Sequence, residues 1–133
     1  MFVLDASVVA SWCFPDEFHP KAEAAFRRIA DETALVPALL WFDLRNLLLM
    51  GERHNRLSEA QVALSLKDVS ELPIEVDRAP DESRVLSLAR MHRLTVYDAV
   101  YLELAQRKAL PLATLDRALI DAARSEKVPL IGD

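Results

Sequence analysis

The sequence predicts an α/β sandwich in which a mainly parallel sheet of about five strands is covered by helices on both faces. Short apolar segments of strand length alternate with helical segments almost throughout the chain, a pattern typical of parallel sheets. The exception is a pair of consecutive helices between the second and third strands, which we interpret as an αα-hairpin insertion. Because the chain has 133 residues, 52% of them hydrophobic, we expect one domain, residues 1–133, with a full core.

The strands are predicted from short, β-prone apolar runs bounded by polar residues or prolines. The first run ends at Asp5, and Pro37 directly follows the second. The five predicted strands span residues 2–5, 35–36, 73–76, 110–114 and 128–131.

The helices are predicted from residues that favour a helix N-terminus. These residues are Ser7, Pro20, Pro80 and two capping-box pairs, Ser58 with Gln61 and Thr95 with Asp98. The predicted helices span residues 8–12, 20–30, 38–54, 58–71, 80–92, 95–108 and 117–125. The third is very apolar, and the sixth leaves few polar positions for solvent, so we expect the sixth to be mostly buried.

Cysteine content and hydropathy indicate a cytoplasmic protein. The single Cys13 can form no internal disulfide, which fits a reducing compartment, and its aromatic neighbours favour a place in the core. The N-terminus is apolar but lacks a basic lead-in, so it is a poor signal peptide. No apolar run reaches the length needed to cross a membrane, and no membrane partner is expected.

The formal charge of −5 argues against nucleic-acid binding through general basicity. A nucleic-acid substrate would require a local reversal of charge, and two divalent cations, which add four positive charges, would leave −1. Arginines would then be available for phosphates, the alternative being that most of them lie on solvated helix faces. They are Arg27, Arg28, Arg45, Arg53, Arg56, Arg90 and Arg93.

Four aspartates are expected at one edge of the sheet, where the carboxyl ends of parallel strands meet. Asp5 ends the first strand, and Asp116 stands two residues beyond the fourth. Asp98 opens the sixth helix, and Asp43 interrupts the apolar third helix. The structural alternatives are a turn or capping role for Asp5, Asp98 and Asp116, and a salt bridge to an arginine for Asp43.

Convergence of these carboxylates would require a compensating cation. Two carboxylates about 4 Å apart repel by about 4 kcal/mol at an effective dielectric constant near 20. The three histidines show no ligand spacing, and hard oxygen donors select Mg²⁺ or Mn²⁺ over Zn²⁺. Such ions suit hydrolysis of a phosphodiester without a covalent nucleophile.

The residues in order resemble the PIN-domain family, and within it the VapC-type toxins of bacterial toxin–antitoxin pairs. The matching motifs are Leu4-Asp5-Ala6-Ser7, Asp43 with Asn46 three residues later, Tyr97-Asp98-Ala99-Val100-Tyr101-Leu102, and Thr114-Leu115-Asp116. Each motif is weak alone, but together they cover the chain in the family's order and spacing. The resemblance therefore implies a PIN-like three-layer α/β/α sandwich.

The resemblance also implies a function and a set of site residues. Asp5, Asp43, Asp98 and Asp116 would ligate Mg²⁺ or Mn²⁺, and Ser7, Asn46 and Thr114 would support the pocket. The activity would be endoribonucleolytic cleavage, with tRNA or rRNA as the expected substrate. The partners would be an antitoxin that also binds operator DNA and a second toxin copy, with further assembly of the complex.

One departure from the family leaves an alternative open. The family typically has glutamate where this chain has Asp43, and aspartate is shorter by roughly 1.5 Å of reach. The alternative is a catalytically weakened PIN-like module that still binds RNA or an antitoxin. A receiver-like signalling domain is a more distant alternative, because Ala6 stands where a receiver needs a second acid after Asp5.

Five aromatic residues in the first third of the chain bear on partners. They either pack in the core or line a groove for an antitoxin helix. They are Trp12, Phe14, Phe18, Trp41 and Phe42.

Overall fold

The computed structural model describes residues 1–133 and has at its centre a sheet of four parallel strands. The spatial order is β3-β2-β1-β4, so the order in which strands are added to the sheet reverses between β1 and β4. The strands are β1 (Phe2–Leu4), β2 (Ala34–Pro37), β3 (Ile74–Asp77) and β4 (Leu112–Ala113).

The predicted fifth strand, residues 128–131, is reduced to a single parallel bridge. Leu112 pairs with Leu130, donating its N–H to Pro129 O and accepting from Ile131 N. Pro129 has no N–H for a ladder, and Gly132, with a φ of 79°, turns the chain away immediately afterwards. The prediction of about five strands is therefore corrected to four strands and this bridge.

Seven helices cover the sheet in the predicted order. They are α1 (Ala6–Cys13), α2 (Pro20–Ile29), α3 (Leu40–Arg53), α4 (Glu59–Ser70), α5 (Glu82–His92), α6 (Val96–Lys108) and α7 (Arg117–Ser125). Helix α1 contacts α2, α3 and α4, whereas α6 contacts α5 and α7 and packs on the sheet. The αα-hairpin insertion is α3 and α4, and the three-layer α/β/α fold class is confirmed. No helix is long and apolar enough to cross a membrane.

Local sequence signals explain most helix starts. Ser58 Oγ accepts from Gln61 N at 3.1 Å and Gln61 Oε1 accepts from Ser58 N at 2.7 Å, the predicted capping box of α4. Helix α5 begins at Glu82 rather than at Pro80, because the Asp81 side chain accepts from Arg84 N and caps the first turn.

Helices α3 and α6 are less uniformly buried than their sequences indicate. On α3, Trp41 and Phe42 are exposed, although Leu44 and Leu48 enter the core. The first turn of α6 is also exposed, with 63% of Tyr97 accessible, so the expectation that this helix is mostly buried holds only beyond it. Periodicity identifies the faces of a helix but not which face has a neighbour.

The aromatic residues of the first third divide accordingly. Phe14 is buried, and Trp12 is half-buried with its indole N–H donating to Ala22 O at 2.9 Å. Phe18, like Trp41 and Phe42, is exposed. Core packing therefore accounts for only part of this group.

Candidate active site

Asp5 is the most buried of the four aspartates, with 4% of its surface exposed. It follows β1, whose three residues are completely buried, and stands at the N-cap position of α1 without capping it. Its Oδ2 accepts hydrogen bonds from Ser7 Oγ at 2.7 Å and Thr114 Oγ1 at 2.6 Å. Burial is the largest cause of the raised pKa of Asp5, and these two hydroxyls oppose it.

Ser7 does not cap α1, as the sequence predicted, but lies within its first turn. Its hydroxyl donates to Asp5 and accepts from Leu115 N at 3.0 Å, so it links β1 to the loop after β4. The helix begins two residues earlier than predicted, at Ala6, and this places Ser7 between the two loops.

Asp116 has the capping role that was its structural alternative. Its Oδ2 accepts from Leu119 N at 2.9 Å and so caps α7, while its own N–H donates to Thr114 Oγ1 at 3.0 Å. Thr114, 2% exposed, therefore holds Asp5 and the backbone of Asp116 together. Capping occupies Oδ2 of Asp116 but not Oδ1.

Asp43 forms a hydrogen bond with a neutral side chain rather than a salt bridge with an arginine. The phenol of Tyr101, which is completely buried on α6, donates to Asp43 Oδ2 at 3.1 Å. Burial raises the pKa of Asp43, and the Tyr101 hydrogen bond only partly opposes it. This contact joins α3 to α6 across the pocket. The sequence indicated Tyr101 only as part of a motif, one helical turn after Asp98 on the same face.

Asp98 connects the four acids electrostatically. Its backbone N–H donates to Thr95 Oγ1 at 3.1 Å, which is the predicted cap of α6. Partial burial and the charges of Asp116, Asp5 and Asp43, in that order, raise the pKa of Asp98 to about 6. The other three predicted carboxylates thus lie within interaction range of Asp98 at the carboxyl edge of the sheet.

No cation of the protein balances this group. None of the four carboxylates forms a salt bridge, although the chain contains twelve such contacts elsewhere. At the same time, no three of the carboxylates lie close enough together to enclose one ion without side-chain movement. The arrangement is an open, negatively charged pocket rather than a tight cage.

Asn46 lies outside this pocket. It is exposed on α3, and its amide donates to Met50 Sδ at 3.8 Å rather than to any of the aspartates. Spacing of three places a residue near the same helix face but does not determine the direction of its side chain. The predicted supporting role of Asn46 is therefore not reflected in its contacts.

Comparison with known proteins agrees with the fold. The PIN-domain profile matches residues 2–125. The chain belongs to the PIN-domain family. It is also 31% identical to ribonuclease VapC3 from Pyrobaculum aerophilum, over 97% of this chain and 95% of that protein. This PIN domain is therefore of the VapC type, as its motifs indicated.

Three solved structures share the PIN fold. PAE2754 from Pyrobaculum aerophilum superposes with a TM-score of 0.70 at 24% identity, covering 91% of this chain and 83% of that one. FitAcB from Neisseria gonorrhoeae gives 0.68 at 17%, covering 98% and 96%. VapC20 from Mycobacterium tuberculosis, a toxin that cleaves the sarcin–ricin loop, gives 0.63 at 10%, covering 92% and 95%.

Proposed function

We propose that this PIN domain is a metal-dependent endoribonuclease and the toxin of a type II toxin–antitoxin pair. Asp5, Asp43, Asp98 and Asp116 would together hold Mg²⁺ or Mn²⁺. The observation that carries the proposal is the group of four interacting carboxylates without a cationic side chain. Homology with ribonuclease VapC3 supports RNA as the substrate.

The donor chemistry of the pocket fits a hard divalent cation. Its side chains offer carboxylate and hydroxyl oxygens, with no cysteine or histidine among them, and this set favours Mg²⁺ or Mn²⁺. Burial raises the pKa values of Asp5, Asp43 and Asp98, and no cationic side chain opposes this effect. When bound, the ion would supply the positive charge that phosphodiester hydrolysis needs.

The protein's own contribution is to position oxygen atoms. Ser7 and Thr114 both donate to Oδ2 of Asp5, which fixes the carboxylate and leaves Oδ1 without either bond. Tyr101 similarly holds Oδ2 of Asp43. Held carboxylates lose less conformational entropy when they coordinate an ion, so these hydrogen bonds preorganise Asp5 and Asp43, while other side chains would move to enclose the ion.

A cleavage assay across a metal series tests this function. End-labelled tRNA and rRNA should be cut internally in MgCl₂ or MnCl₂ and left intact in EDTA. Asp98→Asn should reduce the cleavage rate by roughly 10³-fold, which corresponds to about 4 kcal/mol of barrier. The matched control is Asp121→Asn on the exposed face of α7, which should cleave like the wild type. Equal rates for Asp98→Asn and the wild type would refute the proposal.

The expected partners are an antitoxin, which would bring operator DNA to the complex, and a second copy of the toxin. Exposed Phe18, Trp41 and Phe42 provide apolar surface for such contacts. An antitoxin arginine entering the acidic pocket would compete with the ion. Measuring Mg²⁺ affinity by calorimetry with and without the antitoxin tests that competition, and unchanged affinity would count against it. Light scattering across a concentration series tests the dimer.

The weakened module remains the second candidate because Asp43 replaces the family's glutamate and its Oδ2 already accepts from Tyr101. Under that alternative, the wild type would bind RNA without cutting it, and Asp43→Glu would create cleavage. Activity in the wild type that Asp43→Glu changes by less than about threefold would eliminate it. The PIN match leaves the receiver alternative without support.

A further inference from the structure

A second pocket, of about 350 Å³, adjoins the acidic site between α1 and α3. Its walls include Ser7 and Ser11 from α1, Leu47 and Met50 from α3, and His54 directly after α3. Ser7 belongs to both sites, since its hydroxyl also donates to Asp5. The volume is at the lower end of the range for small-ligand pockets, roughly 300–1,000 Å³.

One face of α1 and one face of α3 extend from the acids into the pocket. Ser7 and Ser11 are four residues apart and therefore share one face of α1. Asp43 and Leu47, also four residues apart, share one face of α3, and His54 follows seven residues after Leu47, directly after the helix. The pocket consequently begins at Ser7, beside Asp5, and continues along α1 by one helical turn, about 5.4 Å, to Ser11. An RNA strand lying between α1 and α3 would place one nucleotide at the acids and the next nucleotide in this pocket.

Ser11 is the feature that indicates a ligand. It is a polar residue with only 5% of its surface exposed, and its hydroxyl has no hydrogen-bond partner in the protein. No completely buried polar atom of the chain is left unpaired, so the accessible part of this hydroxyl faces the pocket. The Ser11 hydroxyl is therefore open to the pocket, where a ligand with a donor or acceptor can form a hydrogen bond with it.

The charges around the pocket favour a neutral ligand over a phosphate. Arg56 is the only arginine on its walls, and its guanidinium is neutralised by Asp16 at 2.9 Å and Glu17 at 2.6 Å. The same guanidinium lies over the Phe14 ring, 4.1 Å from its centroid. A β-carbon at position 51 would overlap that ring, so Gly51 allows Phe14 to form this wall.

From these observations we infer that the pocket binds the ribose and base of the RNA nucleotide next to the scissile phosphate. This inference rests on the proposed nuclease function. The scissile phosphate goes to the acidic site, and the neighbouring nucleoside enters the pocket. Leu47 and Met50 contact its apolar faces, while the Ser11 hydroxyl and the His54 imidazole hydrogen-bond to its polar edge. Ser11 and His54 are therefore specificity-determining residues.

Nucleoside titrations in EDTA test the pocket independently of cleavage. Adenosine, guanosine, cytidine and uridine are added to the ¹⁵N-labelled full chain, and amide shifts are followed by NMR. At least one nucleoside should produce saturable shifts at Ser11, Met50 and Gly51. Ser11→Ala should weaken that binding about fivefold, the usual effect of one hydrogen bond. Ser125→Ala, an exposed serine on α7, is the matched control and should bind like the wild type.

Cleavage of a randomised oligoribonucleotide library gives the second readout. Ser11→Ala and His54→Ala should raise KM about fivefold, keep kcat within about twofold, and relax the base preference at one position beside the cut. Absence of saturable nucleoside shifts in the wild type overturns the pocket assignment. So does unchanged base preference in both variants of a chain that cleaves RNA. A chain that binds nucleosides at these residues but does not cleave RNA refutes the nuclease function, and the pocket is then a nucleoside site without a scissile phosphate beside it.

Discussion

Glu103 and Asp5 are both carboxylates with less than 5% of their surface exposed, but only Glu103 has a cation beside it. Arg107 Nε donates to Glu103 at 2.6 Å, and the backbone N–H of Asp81 adds a bond of 3.0 Å. The same arginine pairs with Asp77 and lowers the pKa of that carboxyl. Asp5 receives hydrogen bonds only from neutral groups, and burial raises its pKa.

Glu126 is a second carboxylate whose negative charge is balanced by neighbouring side chains. We call the residues around Glu103 and Glu126 the compensated region. It accepts from His92 at 2.6 Å, Gln106 at 2.8 Å and Arg84 at 3.0 Å, and its pKa is lowered, chiefly by the His92 bond. These residues join α5 and α6 to the end of α7. The chain therefore neutralises Glu103, Asp77 and Glu126 with cationic partners and leaves the four aspartates of the site without one. The difference indicates that the negative charge of the site is retained for a ligand.

Removing the cation from the compensated region should have the largest effect on stability. Arg107→Met leaves Glu103 buried without its charge partner, and we expect a loss of about 3 kcal/mol in the free energy of unfolding. Urea denaturation measures it. The double variant Arg107→Met with Glu103→Gln is the control and should recover part of the loss. A loss below about 1 kcal/mol would show that Glu103 does not depend on Arg107.

Adding a cation to the acidic site should have the opposite effect. With 10 mM MgCl₂ and a dissociation constant of about 1 mM, binding to the native state alone would add about 1.4 kcal/mol. Thermal unfolding with and without the ion measures this gain. Asp98→Asn should lose most of it, whereas Arg107→Met should keep it. Equal gains in stability for the wild type and Asp98→Asn would show that the ion does not bind at these carboxylates.

Neutralising one acid without any metal should also stabilise the protein. The pKa of Asp98 rises from 3.8 to about 6 on folding, so stability is greatest below pH 4 and is lost as the pH rises through 6. Because the carboxylate is half-exposed, screening reduces the expected gain for Asp98→Asn to about 1 kcal/mol at pH 8 in EDTA. Urea midpoints from pH 4 to pH 8 should flatten in the variant, and an unchanged slope would contradict the prediction.

The smallest effect is expected for an exposed pair that belongs to neither region. Arg117 and Asp121 approach to 3.8 Å on α7 with most of both side chains accessible. Asp121→Asn should therefore change the free energy of unfolding by less than about 0.5 kcal/mol, measured by the same urea method. A larger change would mean that the general field of the protein, rather than the local pocket, controls these differences.

Much of the framework could be read from local signals. The bounds of α7 agree with the sequence prediction at both ends, and the Ser58–Gln61 box begins α4 as expected. Convergence of Asp5, Asp98 and Asp116 followed from a general property, since the carboxyl ends of parallel strands meet at one edge. These features depend on neighbours in sequence or on the sheet type.

The remaining features depend on contacts between distant residues. Tyr101 reaches Asp43 from 58 positions away, and Thr114 reaches Asp5 from 109. A local rule assigned Ser7 to a cap, and the family resemblance assigned Asn46 to the site. Packing instead directed Ser7 to Leu115 N and left Asn46 on the surface. The direction of a side chain is set by the element packed opposite it, which periodicity does not identify.

The sequence by itself determined the α/β class, the order of the elements, the four carboxylates and the family, because these follow from spacing and residue type. Only the tertiary structure decided how each carboxylate is held, which of them lack a cation, and that a pocket with an unpaired Ser11 continues from the acids. The reason is physical. Burial and charge compensation depend on neighbours that are distant in sequence and that only folding brings together, so the sequence alone does not give them.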